Sequence, residues 1–478
     1  MEAKQPQAGF YTLKQFRIRP IFADVSKSFA DKNLTDGTEL NKVIVNWGIT
    51  ESMGSPYIHG FAVVHESSNV LKELPIIGEE EVIIQYTDYY KKTKTEIFFV
   101  YSVEEIEPEN SVNDRMLKYT IRFCSKQKLT SDSVEIRKSY ADQTIAQMAL
   151  ALYDEYFRTG DNAIDKDIEI EATDGTQTLV IPNMRPDEAM NFLTRRAYSS
   201  TSKSSSFKFF ETREKYYFCT YEYLYDKYIN DVSDDAKAIA NNLKFIYNTT
   251  DDNSAPGQNI AQQSVASVAF GTKVNSIADI KTGGYRRRVT ELDYLTRTRI
   301  TRDYDYSNEF SQFTQIDTLK QTHTPEFINN YMQPDNAPET VLIADYPQIG
   351  ANLGEVKYQL RPYQYYFENY TIKPIIDYHM SVNALTTTIK GRTELYPGQI
   401  IVLELYEFAQ SLDGRRKLDT ERTGKYMIVS INNSFNGDEY TQNLVLTRGG
   451  LRGASKERAS GLLDDLLGRT YDMEKVVL

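Results

Sequence analysis

From about Phe16 to Lys126, apolar and polar residues alternate in short runs with a period of two, the pattern of strands that bury one face. The runs NKVIVNWGITES and YIHGFAVVHES are separated by MGSP, a turn signal, and predict a hairpin. A short helical piece, SSNVLKEL, precedes EEVIIQYTD, TEIFFVYSVEEI and MLKYTIRFCSK. Five or more antiparallel strands around one small helix predict a compact β-barrel or a strongly curled sheet.

At Ser139 the period lengthens to about 3.6. Ser139 and Asp142 have capping-box spacing, and Ile145, Met148, Ala149, Leu152 and Tyr156 line one face, which predicts a helix from about Tyr140 to Phe157. A second helix opens in RPDEAMNFLTRRAYS. Pro186 suits its first position, Asp187 and Glu188 complement the positive end of its dipole, and Arg195 and Arg196 complement the other end. The strands SFKFFET and KYYFCTYEYL then complete a small α+β unit.

Regular patterns weaken from about Asn248 to Arg361. NTTDDNSAPGQN and MQPDNAPET have loop composition, and IKTGGYRRRVTELDYL turns at Gly283 and Gly284, which together predict an extended insertion supported by a partner. The aromatic run YQYYFENYTIKPIIDYHM predicts a helix interrupted or restarted at Pro374. Beyond it, Leu385, Thr387 and Ile389 share one strand face, as do Ile401, Leu403 and Leu405. A charged loop, SLDGRRKLDTERTG, leads to KYMIVSINNSF and YTQNLVLTRGG. The expected fold is mainly β with α+β parts: a first antiparallel β-barrel over 10–129, an α+β domain over 130–228, and a connecting strand with a loop-rich insertion over 229–361. A second barrel with its preceding helix follows over 362–450, and a C-terminal tail over 451–478.

The two β regions resemble each other. GEEEVIIQYTD, EIFFVYSVEEIEP and MLKYTIRFCSK match GQIIVLELYEF, KYMIVSINNSF and YTQNLVLTRGG in strand order and in the glycine before the first strand, Gly78 and Gly398. VYSV at Val100–Val103 matches IVSI at Ile428–Ile431. The pattern reads as one barrel duplicated, although any two antiparallel meanders in a β-rich chain share part of it. A ring of three such chains would carry six similar barrels, giving a threefold object a near-sixfold face.

Composition narrows the function classes. A chain of 478 residues with 40% hydrophobic and 26% charged residues is a globular protein of about three or four units. A net charge of −12 argues against general nucleic-acid binding, which needs clustered cations; DNA could pass without sticking, and an acidic channel would suit that. Cys124 and Cys219 are far apart and outside any CxxC spacing, so neither a disulfide framework nor a zinc site is expected, and synthesis in a reducing cytosol is. The opening MEAKQPQAGFYTLKQF lacks an apolar signal core, and no run of about 18 apolar residues occurs, so neither export by signal peptide nor membrane insertion is expected. The 35 tyrosines and 22 phenylalanines weight the chain toward strands and interfaces.

The order of these units resembles the central hub protein of contractile-tailed phage baseplates, and the hub region of the spike proteins of bacterial contractile injection systems. It is carried by IPNMRPDEAMNFLTRRA, GGYRRRVTELDYL, IKGRTELYPGQIIVLEL, GKYMIVSI and YTQNLVLT, between about Phe16 and Arg448. Its strongest piece is a barrel turn at Gly391, Leu395, Pro397, Gly398 and Ile401. The resemblance implies a homotrimeric ring with two tube-protein-like barrels per chain. Such a ring docks the sixfold tail tube or tube-initiator protein on one side and the threefold central spike on the other, within the surrounding baseplate wedge proteins. It implies a structural virion protein of the tail baseplate, made in the host cytoplasm, with DNA passing through and no catalytic residue, metal or cofactor.

The residues offer little chemistry against that reading. No P-loop, nucleophile elbow or HExxH occurs. His59 and His65 fall on one strand, ~20 Å apart if it runs straight, too far to share a metal. GDNAIDKDIEIEATDG invites calcium but lacks the glycine an EF-hand turn needs, and reads as a loop entering a strand. TGGYRRRV could cradle phosphate through Gly283, Gly284 and Arg286–Arg288, or be a turn whose arginines meet acidic neighbours or a partner. Arg415, Arg416, Lys417 and Arg422 form a mixed-charge surface that could touch a partner, as could Leu462, Leu463, Leu466 and Leu467 in the tail. The rival classes are a β-rich cell-wall glycosidase working with two carboxylates, and a receptor-binding tail protein whose tyrosines meet sugars.

Overall fold

Alternation of apolar residues sets the strands of the first region. The computed structural model describes residues 9–19, 37–67, 71, 76–78, 80–110, 115–158, 160, 164–230, 243–247, 264–271, 275–293, 297–306, 325–332, 337–343, 366–406, 418–419 and 422–449. Seven strands come first: β1 (Thr12–Arg19), β2 (Thr38–Glu39), β3 (Ile44–Ser52), β4 (His59–Glu66), β5 (Glu81–Thr87), β6 (Thr93–Asn110) and β7 (Arg115–Cys124). The predicted hairpin is β3 and β4, and the three later runs are β5, β6 and β7, all antiparallel to their neighbours. β1, which pairs with β5, was not foreseen. Most of SSNVLKEL lies outside the described residues.

The α+β unit contains α1 (Lys126–Ser133), β8 (Ile136–Thr144), α2 (Ile145–Tyr156), β9 (Asp167–Ile170), β10 (Thr176–Met184), α3 (Pro186–Thr194), β11 (Lys208–Glu211), β12 (Lys215–Cys219) and α4 (Tyr221–Asn230). The helix expected from Tyr140 begins only at Ile145. Its capping box is Thr144 with Gln147 rather than Ser139 with Asp142, because Ile136 and Tyr140 bury one face of β8 as it pairs with β10. α3 does start at Pro186 with Asp187 and Glu188 in its first turn. TYEYL, read as strand, is the start of α4, where the Thr220 hydroxyl accepts a hydrogen bond from the Tyr223 amide at 3.1 Å.

The weakly patterned region is partly regular: β13 (Lys244–Tyr247), β14 (Val265–Phe270), α5 (Ser276–Thr282), β15 (Arg286–Asp293), β16 (Thr298–Asp305), α6 (Pro325–Tyr331) and β17 (Glu339–Ile343). β15, β16 and β17 form a three-stranded sheet, and Tyr285, Tyr304, Tyr306, Ile328 and Met332 join one core with α7 (Tyr366–Val382). So the described part of the insertion leans on its own chain. α7 runs unbroken through Pro374, where a helix break was expected. Burial of Ile372, Ile375, Ile376 and Met380 offsets the lost backbone hydrogen bond.

The last strands are β18 (Leu385–Lys390), β19 (Ile400–Leu405), β20 (Gly424–Asn436) and β21 (Glu439–Thr447). The two β regions are one 13-stranded sheet along the path β14-β18-β21-β20-β3-β4-β7-β6-β5-β1-β2, with β19 on β20 and β13 on β19. The long β20 makes this fusion. Its first residues pair with β19, and Ser430–Asn436 pair with β3. Bridges at Ile246 with Ser264 and at Phe10 with Glu439 bring each half back upon itself. The β20–β21 hairpin therefore serves both cores: Ile428, Ile431, Leu444 and Leu446 fill one, while Phe435 and Tyr440 enter the other, where Phe435 stacks on Trp47 at 3.7 Å.

The resemblance between the two halves extends to backbone detail. Gly78 and Gly398 both take positive φ, 93° and 91°. β6 and β20 each carry a register shift inside the matched tetrapeptide, between Val100 and Ser102 and between Ile428 and Ser430. Such bulges bend a strand at a fixed place.

Candidate functional site

The turn singled out from sequence is where three units meet. Gly391 donates its amide to the Tyr440 carbonyl at 2.8 Å, and a Cβ there would sit inside the Tyr440 ring. Leu395 is buried, and its carbonyl accepts from Arg213 Nη2 at 3.1 Å. Pro397 is buried beside Gly398, whose amide reaches the Ile428 carbonyl at 2.7 Å and whose α-carbon faces Leu224 and Phe210 of the α+β unit. Ile401 lies in the second core. Thr393 donates to Asp88 Oδ2 at 2.6 Å, tying the turn to the end of β5.

A buried polar network surrounds this joint. Arg213, on the loop from β11 to β12, pairs through Nε with Glu51 Oε1 at 2.8 Å and donates from Nη1 to the Tyr86 hydroxyl at 3.0 Å. The Arg213 amide also reaches Glu51 Oε2, at 3.1 Å. Asn433 accepts from the Tyr440 hydroxyl at 2.7 Å and from Gln442 Nε2 at 2.8 Å. Glu211 links β11 to the first sheet, accepting from the Ile58 amide at 2.9 Å and the Ser125 hydroxyl at 2.6 Å, with Lys166 at 2.6 Å. Burying these charges is tolerated because each meets a charge or several donors.

Sequence reading missed this network, and with it the segment SSTSKSSSF. Its composition signals a linker, yet Ser199, Ser204, Ser205 and Ser206 are fully buried. Ser199 and Ser202 donate to Glu171, and Ser206 donates to Glu222 at 2.6 Å. Burial pushes the Glu222 carboxyl up to about 7. Glu222 lines a small cavity with His379, whose imidazole burial pulls down to about 4 and whose Nε2 lies 2.9 Å from the Gly284 carbonyl. On α7, Lys373 donates to the Phe207 carbonyl at 2.8 Å and, at 3.2 Å, to Thr194 at the end of α3.

Of the residues expected to touch partners, Arg415, Arg416, Lys417, Leu462, Leu463, Leu466 and Leu467 lie outside the described residues. Arg422 pairs with Asp419 at 3.3 Å and stacks over Phe270. In TGGYRRRV, Gly283 caps α5 at positive φ, and the arginines meet their own sheet: Arg286 with Asp305 at 2.8 Å and Arg288 with Asp303 at 2.6 Å. Burial raises the thiol of Cys124 to about 12 and pushes that of Cys219 well above its ordinary value, both away from the reactive thiolate. Among the described residues no group of three His, Cys, Asp or Glu could hold a metal, and no helix is long and apolar enough to cross a membrane.

No protein-family model matches the chain, and no curated protein matches it. Solved structures do resemble it. The tail protein from Neisseria meningitidis MC58 aligns at a TM-score of 0.49 with 11% identity, over 92% of this chain and 98% of that one. The 43 kDa tail protein of prophage MuSo2 from Shewanella oneidensis aligns at 0.47 with 8% identity, over 91% and 99%. The E. coli c3393 protein is a component of the type VI secretion system with structural similarity to the T4 phage tail proteins gp27 and gp5. It aligns at 0.40 with 9% identity, over 86% and 76%.

Proposed function

We propose that this chain is a structural virion protein, a homotrimeric baseplate hub that adapts a sixfold tail tube to a threefold central spike around a DNA channel. The observation that carries the reading is the pair of equivalent meanders, with the same positive-φ glycine and the same bulge, fused through one hairpin. Fusion fixes the two copies side by side, so a threefold ring built from this chain repeats six similar units. The turn at Gly391–Ile401 and the Glu51–Arg213 network tie them to the α+β unit through buried hydrogen bonds and an ion pair. On this reading the partners are a second and third copy, the central spike, the tail tube or its initiator, and the wedge proteins. DNA is not specifically bound, and the chain does no chemistry of its own.

Light scattering on the purified protein over a range of concentration and salt tests this directly. A mass three times that of the 55.0 kDa chain is expected. A monomer that persists at every concentration and stays monomeric with a tube protein added would overturn it.

A further inference from the structure

The sheet of β15, β16 and β17 pairs within itself and, among the described residues, with no strand of the 13-stranded sheet. It is knit internally. Arg286 and Arg288 pair with Asp305 and Asp303, Thr290 Oγ1 lies 3.0 Å from Thr301 Oγ1, and Arg286 Nη1 donates to the Met332 carbonyl just beyond α6 at 2.9 Å. The chain leaves β14 at Gly271, whose amide donates to the Ala384 carbonyl just past α7 at 3.1 Å, and it returns through α7 itself. Separating this body from the rest therefore breaks no strand ladder among the described residues.

What holds it is a seam against α4 and α7, to which the insertion supplies Tyr285, Tyr304, Tyr306, Ile328 and Met332. Two adjacent residues of α7 make polar contacts across the seam. The Tyr378 hydroxyl donates to Asp279, and His379 Nε2 lies 2.9 Å from the Gly284 carbonyl. The His379 ring also stacks on Tyr306 at 4.1 Å and meets Tyr285 edge-on at 5.0 Å. Packing is incomplete here: a small cavity lies between Tyr221, Glu222 and Tyr225 of α4, His379 of α7, and Tyr306. Side chains around a void lose the dispersion contacts that a close-packed seam would give them. Gly284 passes directly under Tyr378, where a Cβ would lie 2.5 Å from ring carbon Cε1.

We propose that the insertion is a clamped flap: β15, β16 and β17 with α5 and α6 lift away from α4 and α7 as one body while the 13-stranded sheet stays folded, and Tyr378 with His379 forms the clasp. Proteins open first where a contiguous unit can part from the rest along a boundary with few shared hydrogen bonds, and this seam is such a boundary. The flap is a property of a single chain, so it stands or falls independently of the hub reading.

Thiol labelling of the full chain under native conditions tests this, read by mass spectrometry so that the two buried native cysteines are scored separately. Met332→Cys places a thiol in the seam and Val82→Cys one in the first core, both at buried positions. The seam thiol should react at least tenfold faster than the core thiol. Adding Gly284→Ala, which wedges Tyr378 aside, should speed seam labelling at least tenfold again and leave Val82→Cys within twofold. Tyr378→Phe, a gentler change, should act in the same direction. Equal rates at the two sites, or variants that move both alike, make the chain one body and overturn the flap; variants that leave seam labelling unchanged overturn the clasp. Backbone hydrogen exchange in β15, β16 and β17 should stay slower than seam labelling. Exchange as fast as labelling means that the insertion melts rather than lifts, which also overturns the flap.

Discussion

At the scale of single residues, the joint depends on charges that have no water to fall back on. Glu51 is fully buried, and Arg213 supplies its only cationic partner among the ion pairs of the described residues. Arg213→Met leaves that carboxylate uncompensated, and a loss of about 3–5 kcal/mol is expected in urea denaturation at neutral pH. Adding Glu51→Gln should recover a large part of it, since the second change removes the stranded charge. A double variant as unstable as the sum of its parts would show that Arg213 acts through packing and its contacts to Tyr86 and Leu395 instead. Little of this was legible beforehand: Arg213 sits in an ordinary strand-to-strand loop, and its partner is 162 positions away.

At the scale of elements, α4 and α7 meet across a cavity lined by two groups that titrate in opposite senses. Glu222 is raised from 4.5 to about 7, so the folded state holds its proton longer, and stability falls as pH climbs through that window. His379 is lowered from 6.5 to about 4, so the folded state refuses a proton the unfolded chain accepts, and stability rises as pH climbs from about 4 to 6.5. Between pH 4.5 and 6.5 the two contributions oppose each other. In denaturation series across this range, Glu222→Gln should expose a rise with pH and His379→Asn a fall, each with a slope approaching ~1.4 kcal/mol per pH unit. Parallel profiles for wild type and both variants would mean that neither group titrates in this way. The helix boundaries carry a related lesson. Apolar spacing located α2, and Pro186 with its acidic first turn located α3, but Tyr140 belongs to β8 because pairing with β10 outcompetes one more turn of helix.

At the scale of the molecule, the shared hairpin joins the two meanders in one hydrogen-bonded sheet. Trp47 is the chain's single tryptophan and stacks on Phe435, which β20 delivers from the second meander into the first core. Leu444→Ala removes a fully buried side chain from the other core, at a cost of about 2–5 kcal/mol. If the sheet unfolds as a unit, Trp47 fluorescence and far-ultraviolet dichroism should shift to the same lower midpoint. An unmoved fluorescence transition would separate the two halves.

The sequence by itself determined the strand runs, the face of α2, the start of α3, the turn at Gly391–Ile401 and the likeness of the two meanders, because period, proline and glycine placement and turn chemistry are local. Only the tertiary structure decided that the halves share a sheet, that α7 continues through Pro374, and that a serine-rich segment is buried around Glu171 and Glu222. Alternation states which face of a strand is dry but not which strand lies beside it. Likewise a polar side chain shows its need for a partner in the sequence, while the identity of that partner is fixed only when distant segments fold together.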